Sequence, residues 1–274
     1  AGGYRGSSSA PTFALVRVSA SGAIDETFAS QSINAAPNNV RSRAYRLALQ
    51  ADGTILLAGE ALTPSHGIDF AFAKYLPSGV RDTTFATNGF ATMALPFSKD
   101  QAHAIATYAD GRFVVVGNSL GITSDKDISV SRFHADGSLD TQFANGGKLL
   151  LSIGDVADDA VDVAIQTDGK IVILAQSLSG EAVKFAVIRL NSDGTLDTAF
   201  SEDGITIPTI GSFQDYAVKL ALQSDGKIVA AGYSQQNGSN LDFAAVRYNT
   251  DGSLDTTFSQ DGIVALPMGN ATDV

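Results

Sequence analysis

The sequence predicts an all-β protein, a β-propeller of four-stranded antiparallel blades, and three observations lead there. One motif occurs five times: SGAIDETF from Ser21, SGVRDTTF from Ser78, DGSLDTQF from Asp136, DGTLDTAF from Asp193 and DGSLDTTF from Asp251. Its glycines, Gly22, Gly79, Gly137, Gly194 and Gly252, are spaced by 57, 58, 57 and 58 residues. A second marker keeps step: ADGTILLAG, ADGRFVVVG, TDGKIVILA and SDGKIVAAG, with Gly53, Gly111, Gly169 and Gly226. The third is FALVRV, FAFAKY, ISVSRF, FAVIRL and FAAVRY. A fixed period of this kind means stacked units that bury their apolar faces on one another.

Each period reads as four strands, a to d. Strand a is AYRLALQ from Ala44 and its relatives, with apolar residues at alternate positions as a half-buried strand requires. The Asp-Gly that follows is a hairpin turn in which glycine supplies positive φ. Strand b, TILLAG or KIVAAG, is a continuous apolar run suited to burial on both faces. Strand c carries the FAAVRY pattern. Strand d follows the FSxDG segment as GFATMAL, GKLLLSI, GITIPTI and GIVALPM. Four short antiparallel strands per period suit one propeller blade. No stretch shows a capped helical period.

Strand a has alanine in two columns, Ala48, Ala106, Ala164, Ala221 and Ala44, Ala102, Ala160, Ala217. Along an unbroken strand both fall on one face. Blades converge where space is smallest, so strand a is expected innermost and strand d outermost. The a–b and c–d turns, nearly uniform between copies, then share one face. The b–c loops differ in every copy: Gly2–Thr12, Gly59–Asp69, Gly117–Asp127, Ala175–Lys184 and Gly232–Asp242. They share the other face with the d–a connections. Variable loops on a rigid frame are where function is expected.

The chain is long enough for a large core, with 274 residues, 44% hydrophobic and 17% charged. A net charge of −11 without a basic cluster argues against nucleic acid and anionic membrane surfaces as partners. No cysteine is present, which removes disulfides, thiol catalysis and Cys-ligated zinc. No apolar run is long enough to span a membrane.

One domain is expected over 1–274, divided as a half blade 1–40 and blades 41–98, 99–155, 156–212 and 213–274. Five blades are favoured. Five full periods would need about 288 residues. Aligning the ends leaves one strand a and one strand b unsupplied, the counterpart of Ala217–Ala230. Three explanations are open: a segment that exists but is cleaved off or goes unseen, a strand-donating partner segment that completes the open blade, or a longer propeller.

The segments DGKIVAAG (Asp225–Gly232), DFAAVRYNTDGSLDTTF (Asp242–Phe258) and QDGIV (Gln260–Val264) resemble the bacterial delta-60 repeat family, a β-propeller repeat of unknown function. Copies depart at Arg81, Ser78 and Ala175. The resemblance implies a secreted or surface-associated bacterial protein and supplies no catalytic residues.

The c–d hairpins present oxygens at spacing 1, 3, 7 around a glycine: Asn191, Asp193, Asp197 and Asn249, Asp251, Asp255. Calcium is the one metal such loops could hold; otherwise each aspartate caps its own turn. No other cofactor is expected. The shared strand-c cation and motif aspartate predict five structural ion pairs: Arg17–Asp25, Lys74–Asp82, Arg132–Asp140, Arg189–Asp197 and Arg247–Asp255. A polar column, Arg46, Ala104, Asp162, Lys219, would line an inner channel or pair internally. The three histidines, His66, His103 and His134, occupy different repeat positions, which argues against a histidine metal cluster. The expected function is non-enzymatic binding or adhesion toward a glycan or protein, through Tyr4, Arg5, His66, Tyr233, Gln235, Gln236, Asn237 and Asn240. The alternative is a glycan-acting hydrolase using Asp100, Asp155, Asp158, Asp159 or Asp215.

Overall fold

A computed structural model describes residues 1–5, 12–29, 32–33, 41–64, 67–95, 99–120, 125–211, 214–235 and 241–266. All its regular structure is strand. The first sheet holds β1 (Gly2–Arg5), β2 (Thr12–Leu15) and β3 (Ser32–Ile33) in that order. Four-stranded sets follow in the order a-b-c-d. The first is β4 (Ser42–Leu49), β5 (Ile55–Thr63), β6 (Gly67–Tyr75) and β7 (Phe90–Met93). Next come β8 (Asp100–Thr107), β9 (Phe113–Leu120), β10 (Lys126–Phe133) and β11 (Lys148–Leu151). The third set is β12 (Ala157–Ile165), β13 (Ile171–Ser179), β14 (Ala182–Leu190) and β15 (Ile205–Thr206). The last is β16 (Asp215–Leu222), β17 (Ile228–Ser234), β18 (Asp242–Tyr248) and β19 (Ile263–Leu266). This is the antiparallel blade pattern of a β-propeller. No helix among the described residues is long and apolar enough to cross a membrane.

The chain forms two compact units. One comprises Ala1–Ser124, Ser129–Thr141 and Asn145–Lys148; the other comprises Asp125–Ile128, Gln142–Ala144 and Leu149–Val274. In the first unit, Phe13, Leu15 and Phe28 pack against Ala44, Leu57, Ala73 and Tyr75 of the next sheet. In the second, Val172, Leu174, Phe185 and Phe200 pack against Ala217, Leu220, Val246 and Tyr248. Strand b supplies much of this core, in keeping with its unbroken apolar run.

Strand a departs from the expected geometry. Ala44 pairs with Gly59, but Arg46 pairs with Ala58, so Tyr45 is an extra residue; His103, Val161 and Val218 occupy the same place in the later copies. Ala44 therefore faces Gly59 and Ala48 faces Leu56, two positions of odd separation on β5. Odd separation along a strand puts them on opposite faces. The two alanine columns do not share a face. The column of Ala44, Ala102, Ala160 and Ala217 is buried, whereas Ala48 is half-buried and Ala221 exposed. The bulge also explains a glycine. A Cβ on Gly59 would lie 1.8 Å from the carbonyl oxygen of Arg43, and on Gly117 1.8 Å from that of Gln101.

The b–c connections are shorter than the sequence suggests. Pairing of β5 with β6 runs on to Thr63↔Gly67, and of β13 with β14 to Ser179↔Ala182. Apolar and polar residues alternate in these extensions, and Ala61 there still belongs to the core.

Candidate functional site

The repeated motif builds a clasp between successive copies. Arg17 Nε donates to Asp25 Oδ2 at 2.8 Å and its guanidinium lies 4.8 Å above the Phe28 ring. Arg189 repeats this on Asp197 (2.6 Å) and Phe200 (4.5 Å), and Arg247 on Asp255 (2.7 Å) and Phe258 (4.7 Å). Arg132 pairs with Asp140 at 2.7 Å. The motif phenylalanine then closes on the turn glycine of the following copy. A Cβ on Gly79 would meet the Phe28 ring at 2.7 Å, and on Gly137 the Phe85 ring at 2.7 Å. The residue after the phenylalanine donates to that same turn: Ala29 to the Ser78 carbonyl at 3.0 Å and Ser201 to that of Asp251 at 2.8 Å. One motif thus joins an ion pair, a cation–π stack and an inter-copy backbone bond.

The Lys74–Asp82 pair expected in this series does not form. The Lys74 ammonium donates to the Ala135 carbonyl at 3.4 Å, and Asp82 Oδ1 accepts the amide and hydroxyl of Thr84 at 3.1 and 2.6 Å. A single ammonium lacks the fork with which arginine reaches carboxylate and carbonyl together.

On the other end of the strands the first unit gathers a polar cluster. Glu60, at the end of the apolar part of β5, is 3% exposed. Its Oε1 accepts from Arg43 Nη1 at 3.3 Å and its Oε2 from Gln101 Nε2 at 2.9 Å. Burial first, then the Glu60 charge, pushes the Tyr45 hydroxyl up to about 12. Arg43 lies 5.5 Å over the ring of Tyr4, which is 55% exposed. In front of Glu60 a cavity of about 210 Å³ is lined by Tyr45, Arg46, Gln101 and His103. The bulge in strand a places Tyr45 and His103 here, as the extra residue of each copy.

The family described as "Domain of unknown function (DUF5122) beta-propeller" matches residues 50–85, 109–143, 166–200 and 223–258, more than half of the chain. The chain belongs to that family. Each matched DUF5122 segment runs from the a–b turn through the clasp phenylalanine. Among solved structures, a polysaccharide lyase of the ulvan lyase type, bound to -[GlcA(1-4)Rha3S]-, is similar with TM-score 0.53 and 10% identity over 90% of this chain. The chain spans 60% of that structure's length. A Lactobacillus plantarum protein is similar with TM-score 0.46 and 15% identity, covering 89% of this chain and 63% of its own. At such identities the likeness concerns the fold. No curated protein matches.

The DUF5122 clasp occupies the hairpins considered for calcium. Asp193 Oδ1 accepts the amide and hydroxyl of Thr195 at 2.9 and 2.7 Å, and Asp251 Oδ1 those of Ser253 at 2.9 and 2.6 Å. Asp197 Oδ2 receives Lys170 and Arg189; Asp255 Oδ2 receives Lys227 and Arg247. Asn191 and Asn249 turn their amide nitrogens toward Thr195 and Ser253, at 3.0 Å each. These oxygens are engaged by donors. Among the described residues, no group of three or more His, Asp or Glu is placed to hold a metal ion.

Three of the carboxylates considered for hydrolysis, Asp100, Asp158 and Asp215, are also engaged. Asp100 accepts the Leu95 amide (2.8 Å) and the Ser119 hydroxyl (2.6 Å). Asp158 accepts the Ile153 amide (2.7 Å), and Asp215 that of Gly211 (2.9 Å) with Lys184 Nζ (2.9 Å). Asp159 lies 3.9 Å from Lys126, and Asp155 is exposed. In the polar column, Lys219 pairs with Asp162 at 2.9 Å.

Of the expected loop contacts, Tyr4, Arg5 and Tyr233 sit in strands β1 and β17 rather than loops. Tyr233 packs on Tyr216 with ring centroids 5.1 Å apart. Gln235 follows β17 and donates its amide to the Gln214 carbonyl at 2.7 Å. His66, Gln236, Asn237 and Asn240 lie outside the described residues. The expected contacts did not include Arg43, Tyr45, Glu60, Gln101 or His103. The available signal was the column after the strand-b glycine, where Glu60, Asn118, Gln176 and Tyr233 are all different.

Proposed function

We propose that this DUF5122 chain is a non-enzymatic binding module of a secreted or surface bacterial protein, engaging a glycan or a protein through the strand ends that carry the b–c and d–a connections. One contrast supports this most. The clasp positions repeat from copy to copy, while the positions around Glu60 change in each. The same repeat site holds Glu60, Asn118, Gln176 and Tyr233, and the bulge holds Tyr45, His103, Val161 and Val218. Repetition serves packing; a surface diversified on a fixed frame serves recognition. The exposed Tyr4, with Arg43 over its ring, suits a polar ligand.

Glycan and protein arrays probed with the intact chain test the reading. Retention of a ligand that is recovered unchanged is the expected result, with Tyr4→Ala lowering retention about tenfold. Cleavage of the retained glycan, or no retention on either array, would overturn it.

A further inference from the structure

We propose that the cavity lined by Tyr45, Arg46, Gln101 and His103 holds the carboxylate of an acidic sugar residue, with Arg46 as the anion-binding group. This names the ligand class of the binding face and rests on the glycan branch of that reading.

The chain carries −11 overall, so a locally positive cavity runs against its own background. Glu60 behind the cavity is neutralised by Arg43 and bonded by Gln101. That leaves Arg46 as the uncompensated charge of the group. Its Nη1 donates to the Tyr45 carbonyl at 3.0 Å, and it forms no ion pair among the described residues. The same repeat column shows what a cation does here when an acid is supplied: in the second unit Lys219 takes Asp162, at 2.9 Å. There Lys219 reaches back to the preceding copy; on the other side of Arg46 the following copy has Ala104, which supplies no acid. Arg46 therefore keeps donors facing outward, in the fork geometry that matches a carboxylate.

Size and lining narrow the class. A volume of about 210 Å³ is below the roughly 300–1,000 Å³ of sites for drug-sized ligands, so it takes one residue of a longer ligand. Tyr45 lines it with a phenol that is neutral at pH 7. It offers a ring and a neutral polar tip, and Gln101 and His103 add polar edges beside it. An oxyanion beside hydroxyl groups on a small ring fits this set.

Ligand-observed NMR titration of the intact chain with glucuronate, glucose and inorganic sulfate tests the assignment. Glucuronate should bind in the low millimolar range, about tenfold or more tighter than glucose or sulfate, and Arg46→Gln should remove that preference. Arg112→Gln, at an a–b turn on the other end of the strands, serves as a control and should leave glucuronate binding unchanged. Equal binding of glucose would overturn the anion assignment and leave the glycan reading standing. Equal binding of sulfate would reduce the cavity to a simple anion site and overturn the sugar. Unchanged binding in Arg46→Gln, or no binding of any probe, would overturn the cavity; the arrays judge the wider reading separately.

Discussion

Lys74 shows how much a single side chain decides. It occupies the clasp position that is arginine in the other four copies. Its ammonium donates to the Ala135 carbonyl at 3.4 Å, and lies 6.0 Å from the Phe85 ring where the arginines stack at 4.5–4.8 Å. Lys74→Arg should restore the pair with Asp82 and tighten the stack. Because Asp82 is only half-buried, the gain should be modest, about 0.5–1 kcal/mol. Urea denaturation reads it as a higher midpoint at unchanged slope. A lower midpoint would show that the lysine suits its site better than the clasp geometry suggests.

At the scale of the element, the start of strand c stands beside the start of the next strand a. The parallel bridge Ile68↔Lys99 brings Asp69 next to Asp100, and Lys126↔Ala157 does the same for Asp127 and Asp158. In the copy after that the corresponding pair is Lys184–Asp215, an ion pair at 2.9 Å. In the first unit both partners are acids, 2% and 0% exposed, and Asp69 Oδ1 is buried without a partner. Burial, and after the relief from Ser119 and Leu95 the charge of Asp69, hold the Asp100 carboxyl above its ordinary value. Asp69→Lys should copy the Lys184 arrangement and stabilise the protein by about 1 kcal/mol, a rise of roughly 2–4 °C in Tm at pH 7. Asp69→Asn should give a smaller rise, since it removes the repulsion without supplying a charge. A fall in Tm for both would show that the pair is satisfied as it stands. Little of this could be read from sequence. The repeat markers located strands, turns and the cation–aspartate partners, because those depend on local pattern. The bulge left no trace, since one inserted residue leaves strand a looking evenly alternating. The Glu60 cluster was hidden for the same reason, and because it joins residues 41 positions apart on different copies.

Over the whole molecule the same aspartate bonds set the response to acid. Hydroxyl donors come first among the causes that lower Asp25 (Thr27), Asp52 (Thr54), Asp136 (Ser138) and Asp251 (Ser253), and the Lys227 ammonium comes first for Asp255. A carboxyl with a folded value below its unfolded 3.8 adds stability that is present above 3.8 and is lost as pH falls through the folded value. Asp100, raised by burial, works in the opposite direction: its ionisation costs stability as pH rises through its folded value. The lowered groups recur in copy after copy and Asp100 is one residue, so the clasps and turns should dominate. Stability should change little from pH 7 to about 5 and fall steeply below about 4. Chemical denaturation followed by circular dichroism across pH 2–7 measures this. Since the chain has two compact units, transitions should be fitted for each before midpoints are compared. A decline that begins near pH 6 would mean that groups other than these aspartates hold the repeats together. Replacing Asp25 with Asn keeps an acceptor for Thr27 but removes the charge that Arg17 needs, so this variant should lose part of the acid dependence along with some stability at pH 7.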